Sequence, residues 1–169
     1  MPETAESHAV ILTTNRNCVI EIHNVSQYYL YNPQVYTNSG YAHSPPTPTL
    51  RPNFTEVCSF TKDDNTASGA VGVLTYEVVG EKKRYILGVM FSVPFDRNFY
   101  SNWLGVGIFD SPAACDEALY KKMYNDKEES FVRHKADGSG ITFSNKKLKV
   151  RACMSDEGRA IIKMEVYDN

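Results

Sequence analysis

The sequence predicts a mainly β protein, a β-sandwich flanked by a short helix, folded as a single domain over residues 1–169. Three observations carry this. Short runs of apolar and β-branched residues alternate with polar ones between turn signals along most of the chain. The aromatic content is tilted towards strand formers, with 11 Tyr and 8 Phe. One stretch alone, after Asp110, combines helix-start residues with an apolar stripe at helical spacing.

The bulk composition sets outer limits. A chain of 169 residues forms one domain most simply and buries roughly two thirds of its unfolded surface. Its 18 Lys and Arg balance 20 Asp and Glu to a net charge of −2, so no global field draws it to nucleic acid or to anionic membranes. The N-terminus, Met1 to His8, has neither the basic nor the apolar region of a secretory signal, and no run of eighteen apolar residues is present. The expectation is a soluble protein, cytoplasmic or unconventionally secreted. Cys18, Cys58, Cys115 and Cys153 are far apart and include no Cys-x-x-Cys pair. They read as reduced, mostly buried thiols rather than a zinc site or disulfide framework, with a single bridge in an oxidising compartment as the alternative.

Taken in order, residues 1–8 are expected to be flexible, with Pro2, two glutamates and almost no apolar face. Ser7 to Val25 reads as two strands around a turn at Thr13–Asn17. Tyr28–Tyr31 is a third β-prone run, ended by Asn32-Pro33. Residues 37–40 and the proline-rich 43–52 then form a long surface loop, where four prolines exclude a helix. Ala67–Val79 carries few charges, as a strand buried on both faces would, and Gly69 and Gly72 mark close backbone approach. The charged turn Gly80–Lys83 sends Tyr85–Ser92 back as its hairpin partner.

The stretch Phe91–Trp103 follows directly, with a proline, two asparagines and five aromatic rings, four of them between Phe95 and Trp103. A loop seldom buries that many rings, and Tyr and Trp favour boundaries between an apolar body and a wet edge, so this segment reads as a binding surface, with an aromatic loop tucked onto the core as the alternative. Leu104–Phe109 is another short strand. Ser111 as N-cap and Pro112 at the first turn start a helix running to about Tyr124. Spacing by four puts Cys115, Leu119 and Met123 on its core stripe, with Tyr120 and Tyr124 on the adjoining shoulder. At the C-terminus, Leu148, Val150, Ala152 and Met154 alternate with polar positions, Ser155–Gly158 turns the chain, and Ala160, Ile162, Met164 and Val166 alternate again.

Enzyme signatures are missing, and the four histidines have no partner at motif spacing, so neither catalysis nor a cofactor or metal is expected. The basic run Lys146–Arg151 is the outer face of a strand without interleaved aromatics, a poor nucleic-acid signal.

Three segments, Ser68–Tyr76, Val89–Trp103 and Leu119–Tyr124, resemble the actinoporins, the pore-forming cytolysins of sea anemones; weaker similarity extends from about residue 15 to the C-terminus. The cysteines, essentially absent from the anemone proteins, suggest an actinoporin-like member from another source, such as fish. The resemblance implies a β-sandwich that binds phosphocholine lipid, typically sphingomyelin, and assembles as a homo-oligomer on the membrane. Position by position, it implies headgroup binding by Ser39, Val71, Ser92, Pro94, Tyr100, Tyr120 and Tyr124, and membrane contact by Phe99 and Trp103. There are departures. Asn125 stands where the family has a further tyrosine, and Arg133-His-Lys-Ala-Asp137 replaces its Arg-Gly-Asp. Ahead of the first expected strand there is no counterpart of the family's amphipathic pore helix of roughly 20 to 30 residues, the length that lines a bilayer. The expectation is therefore docking without the pore helix. A lectin of the same fold binding glycans, or a protein-interaction module, are the alternatives that amphipathic aromatic surfaces also serve.

Overall fold

A computed structural model describes residues 3–80 and 82–169. The chain runs through α1 (Ala5–Ile11), β1 (Asn17–Asn24), β2 (Leu30–Ser39), β3 (Tyr41–Ser44), β4 (Thr49–Leu50), β5 (Thr55–Thr61) and β6 (Ala70–Val79). It continues through β7 (Arg84–Val93), β8 (Trp103–Asp110), α2 (Glu117–Asn125), β9 (Phe131–Lys135), β10 (Gly140–Ser144), β11 (Leu148–Met154) and β12 (Arg159–Asp168). The strands form two six-stranded sheets, ordered β10-β11-β12-β1-β5-β3 and β4-β2-β6-β7-β8-β9. Their inner faces close one core: Cys18, Ile20, Ile22, Cys58 and Phe60 from the first sheet meet Leu74, Tyr76, Leu87, Val89 and Phe91 from the second. At its centre the Phe60 and Phe91 rings lie 4.5 Å apart. The predicted β-sandwich is present, with a short helix on the outer face of each sheet.

The two predicted hairpins form where alternation is strongest. In β11 and β12 the expected inward residues are buried and their neighbours are not, and β6 pairs with β7 along all ten positions. Glu81, within the expected charged turn, lies outside the described residues. Both flagged glycines are in crowded places. A Cβ on Gly72 would stand 2.3 Å from the Tyr36 carbonyl, and one on Gly69 would stand 2.2 Å from the Val93 carbonyl.

Other elements differ from the sequence reading. The first expected strand, Ser7 to Leu12, is instead helix α1. Thr4 and Ser7 form a reciprocal capping box: the Ser7 amide donates to Thr4 Oγ1 and the Thr4 amide to Ser7 Oγ, each at 3.1 Å. Ala5 and Leu12 pack on Val19 and Val57, and Arg159 donates to the Ala9 and Leu12 carbonyls. Of the segment expected to be flexible, residues from Ala5 onward are thus in a packed helix, while Met1 and Pro2 lie outside the described residues.

The strand expected to stop at Asn32-Pro33 continues to Ser39. A register irregularity between Tyr31 and Gln34 absorbs the pair, leaving the proline where no ladder donor is needed. Part of the long proline-rich loop accordingly becomes β3 and β4. Strands β5 and β9 carry no clear alternation, and the Ile141 and Phe143 alternation of β10 is too short to mark a strand, so the sequence reading does not expect these three. Helix α2 begins at Glu117 rather than Pro112, because the Asp116 carboxylate accepts from the Leu119 amide at 2.9 Å and takes the capping position assigned to Ser111.

No disulfide forms among the cysteines, and Cys18 and Cys58 are fully buried. Burial pushes both thiols well above the usual range. Native protein at pH 8 should therefore react with a thiol reagent at no more than two sites, Cys115 and Cys153, and at four after denaturation; rapid native labelling of all four would contradict this packing.

Candidate functional site

Backbone register gathers several of the residues implied by the resemblance into one row. Ser39 pairs with Val71, Val71 with Ser92, Ser92 with Trp103, and Trp103 with Lys135. Directly opposed residues present their side chains on the same face, and here that is the outer face covered by α2. Two positions further along each strand, or three on β2 where a register irregularity falls between Thr37 and Ser39, the next row on this face is Tyr36, Val73, Met90, Gly105 and Arg133.

Helix α2 adds the aromatic wall. Leu119 and Met123 anchor it on Val71, Val73 and Met90, so Tyr120 and Tyr124, one turn apart, share a side of the helix. Their rings stack at 5.7 Å between centroids with planes 26° apart, and Tyr36 reaches Tyr120 from β2 at 6.4 Å. The sequence reading misses Tyr36 because it ends the third strand at Asn32-Pro33, whereas β2 continues to Ser39. Burial pushes the Tyr120 hydroxyl up to about 12, the adjacent Tyr124 and Tyr36 phenols adding to this and the Ser92 hydroxyl partly offsetting it. Tyr120 is therefore a neutral hydrogen-bonding group at any physiological pH. Ser92 is itself buried at the end of β7, facing this phenol.

The aromatic loop between β7 and β8 is pinned at several points. The Arg16 side chain donates to the Pro94 and Phe95 carbonyls at 3.1 and 2.9 Å and lies over the Phe95 ring. Asn102, fully buried, donates through Nδ2 to the Ser155 and Glu157 carbonyls at 3.2 and 2.8 Å. Arg97 pairs with Asp156 in the same β11–β12 turn. From this fixed base Phe99 and Tyr100 project outward, 83% and 61% exposed.

The implied residues thus fall into groups. Val71, Ser92, Tyr120 and Tyr124 converge. Pro94 lies beside them, half-buried, at the root of the loop, and Tyr100 stands on the loop, out in solvent. Ser39 is in the row, but its Oγ is occupied by the backbone of Gly69, donating to the carbonyl and accepting from the amide at 3.1 and 3.2 Å. Trp103 and Phe99 differ from each other. Phe99 is free, whereas Trp103 is half-buried with the Arg133 guanidinium 6.0 Å from its ring centroid. Asn125, the departure from the tyrosine cluster, is exposed at the end of α2. Lys135, at the end of the row, is an exposed cation that sequence reasoning did not single out.

A β-sandwich with an aromatic loop and a tyrosine-bearing helix on one outer face is the architecture expected of the actinoporin-like class. The chain belongs to that family: residues 11–168 match the family described as sea anemone cytotoxic protein. Bryoporin from Physcomitrium patens is 31% identical over 156 residues, covering 92% of this chain and 86% of bryoporin. DELTA-alicitoxin-Pse1b from Phyllodiscus semoni is 39% identical over 98 residues, 56% of this chain and 39% of the toxin, so for this relative the match spans well under half its length. Among solved structures, the lipid-binding protein Nakanori superposes with a TM-score of 0.71 over 96% of this chain and 77% of its own, at 12% identity, a likeness of fold.

Proposed function

We propose that this protein docks on membranes displaying phosphocholine headgroups. The observation that carries this reading is the stacked Tyr120–Tyr124 pair, joined by Tyr36, beside the buried Ser92 and a rigid loop that exposes Phe99. A quaternary ammonium is attracted to aromatic faces, the neutral Tyr120 and Ser92 hydroxyls are suited to a phosphate oxygen, and the Lys135 cation lies along the same row. Phe99 and Tyr100, projecting beyond the site, would enter the headgroup boundary, where aromatic side chains are favoured. Membership of a cytolysin family and the likeness to a lipid-binding fold support the same reading. Trp103, set back under Arg133, would act as a wall of the site more than as an inserting residue.

Vesicle flotation tests it. Wild-type protein should rise with sphingomyelin or phosphatidylcholine vesicles and be displaced by soluble phosphocholine. Tyr120→Ala/Tyr124→Ala should weaken binding by about a hundredfold, the loss of two aromatic contacts to a cation at roughly 1 to 2 kcal/mol each. Protein that stays at the bottom of the gradient, or a double variant that floats like wild type, would sink the proposal. Dye release from the same vesicles separates docking alone from perforation by an assembled oligomer.

A further inference from the structure

The row next to the headgroup site ends in Arg133, a residue that neither the aromatic pattern nor the resemblance brings into the site. It sits on β9 opposite Gly105, so it is the diagonal neighbour of Trp103 on the same face. Its guanidinium does two things at once. Through Nη1 it donates to the Met123 carbonyl at 2.7 Å and to the Asp126 carbonyl at 2.8 Å. It also lies 6.0 Å from the centre of the Trp103 ring.

Both contacts fall where support is needed. At the end of α2 the Asp126 amide donates to Lys122, so Met123 is the next carbonyl that the helix leaves without its intrahelical partner. Arg133 supplies that partner and closes the helix end as a basic side chain favourably does. Helix α2 carries Tyr120 and Tyr124, while Trp103 begins β8 immediately after the aromatic loop. One planar, forked cation therefore ties the tyrosine wall to the far end of the loop.

We infer that Arg133 is a positioning residue of the headgroup site, holding α2 and Trp103 at a fixed separation so that the tyrosine pair and the aromatic loop face a single ligand. Its consequence for binding rests on the phosphocholine reading; the coupling of helix to tryptophan does not. Lysine is a poor substitute, because an ammonium is a point charge without a planar face to keep on the ring while it donates to the carbonyls.

Trp103 is the only tryptophan, so its emission reports this contact directly. Arg133→Lys and Arg133→Gln are compared with wild type, first without lipid and then on phosphatidylcholine vesicles. In the free protein both variants should show a red-shifted Trp103 emission and about twofold greater quenching by acrylamide, as the ring loses its cover. On vesicles both should bind about tenfold more weakly, the equivalent of one misplaced contact, after correction for the folded fraction measured by circular dichroism. Unchanged emission and quenching in both variants overturns the coupling. Altered emission with vesicle binding equal to wild type overturns the positioning role and leaves Arg133 a helix cap that also covers Trp103. If wild type itself does not bind vesicles while the emission shifts as described, the phosphocholine reading fails and the helix-to-tryptophan coupling stands.

Discussion

Asn102→Ala is expected to lower the free energy of unfolding by about 2 to 4 kcal/mol and to abolish vesicle binding by protein that remains folded. Asn102 is fully buried, and its amide makes two donations that no neighbour can replace, to the carbonyls of Ser155 and Glu157 in the β11–β12 turn. Removing the side chain strips both carbonyls of a donor and leaves a gap between the loop root and the turn. The backbone bond from the Ala136 amide to the Asn102 carbonyl, 2.9 Å, remains in the variant, so the damage is confined to the loop's side-chain anchor. Asn102→Asp, nearly identical in shape, should be at least as harmful, because it sets a carboxylate against two carbonyl oxygens. Urea denaturation gives the stability change. A loss below about 0.5 kcal/mol in both variants, the range of ordinary surface changes, would show that Arg16 and Arg97 suffice to hold the loop.

Glu56→Gln is expected to remove a pH dependence of stability that the wild type shows between about pH 4.5 and 7. Glu56 is buried at the end of the core, and that burial pushes its carboxyl up to about 7, although hydrogen bonds from Tyr76 and the Thr47 amide pull it down. Burial is what favours the protonated acid, and the polar groups around it can accommodate that form. Tyr76 has one hydroxyl hydrogen but two acceptors in reach, the Thr47 carbonyl at 2.8 Å and Glu56 Oε2. A neutral Glu56 donates to the Tyr76 oxygen and leaves the Tyr76 hydrogen for Thr47. An ionised Glu56 leaves one acceptor short, and its Oε1 is already buried without a partner.

The direction follows. Below about pH 4.5 the carboxyl is protonated in folded and unfolded chains alike, and this stabilisation is complete. As pH rises through the folded value of about 7 it is lost, because only the unfolded chain releases the proton freely. A shift of this size corresponds to roughly 3 kcal/mol. Denaturation of wild type and Glu56→Gln from pH 5 to 8.5 should show the variant gaining on the wild type as pH rises. A constant difference across that range would mean that Glu56 does not titrate in this way.

The legible parts of the fold are those where one strand's pattern suffices to orient it. The β11–β12 hairpin was readable because Leu148 to Met154 and Ala160 to Val166 alternate on either side of a four-residue turn, and a slip of one residue would expose the whole apolar set. The parallel pairing of β1 with β12 was not. Asn17 meets Arg159 across almost the entire chain, and no local feature of either strand names a partner at that distance. Near the N-terminus, Val10 and Leu12 alternate like a strand, but the capping box and the burial of Ala5 and Leu12 favour a helix that packs on the first sheet. At α2, both Ser111 and Asp116 are acceptable N-caps, and only Asp116 has its carboxylate placed on the Leu119 amide.

The site divides in the same way. Sequence alone determined which side chains are available: the aromatic loop, the two tyrosines a helical turn apart, and Ser92 at the end of an apolar strand, since these depend on residue identity and on periods of two and 3.6 residues. Only the tertiary structure decided which of them work together. It brought Tyr36 from β2 to Tyr120, spent the Ser39 hydroxyl on Gly69, covered Trp103 with Arg133, and left Phe99 in the open. The physical reason is that register and packing join residues tens of positions apart, and a side chain's remaining hydrogen-bonding and stacking capacity depends on what those distant neighbours have already taken up.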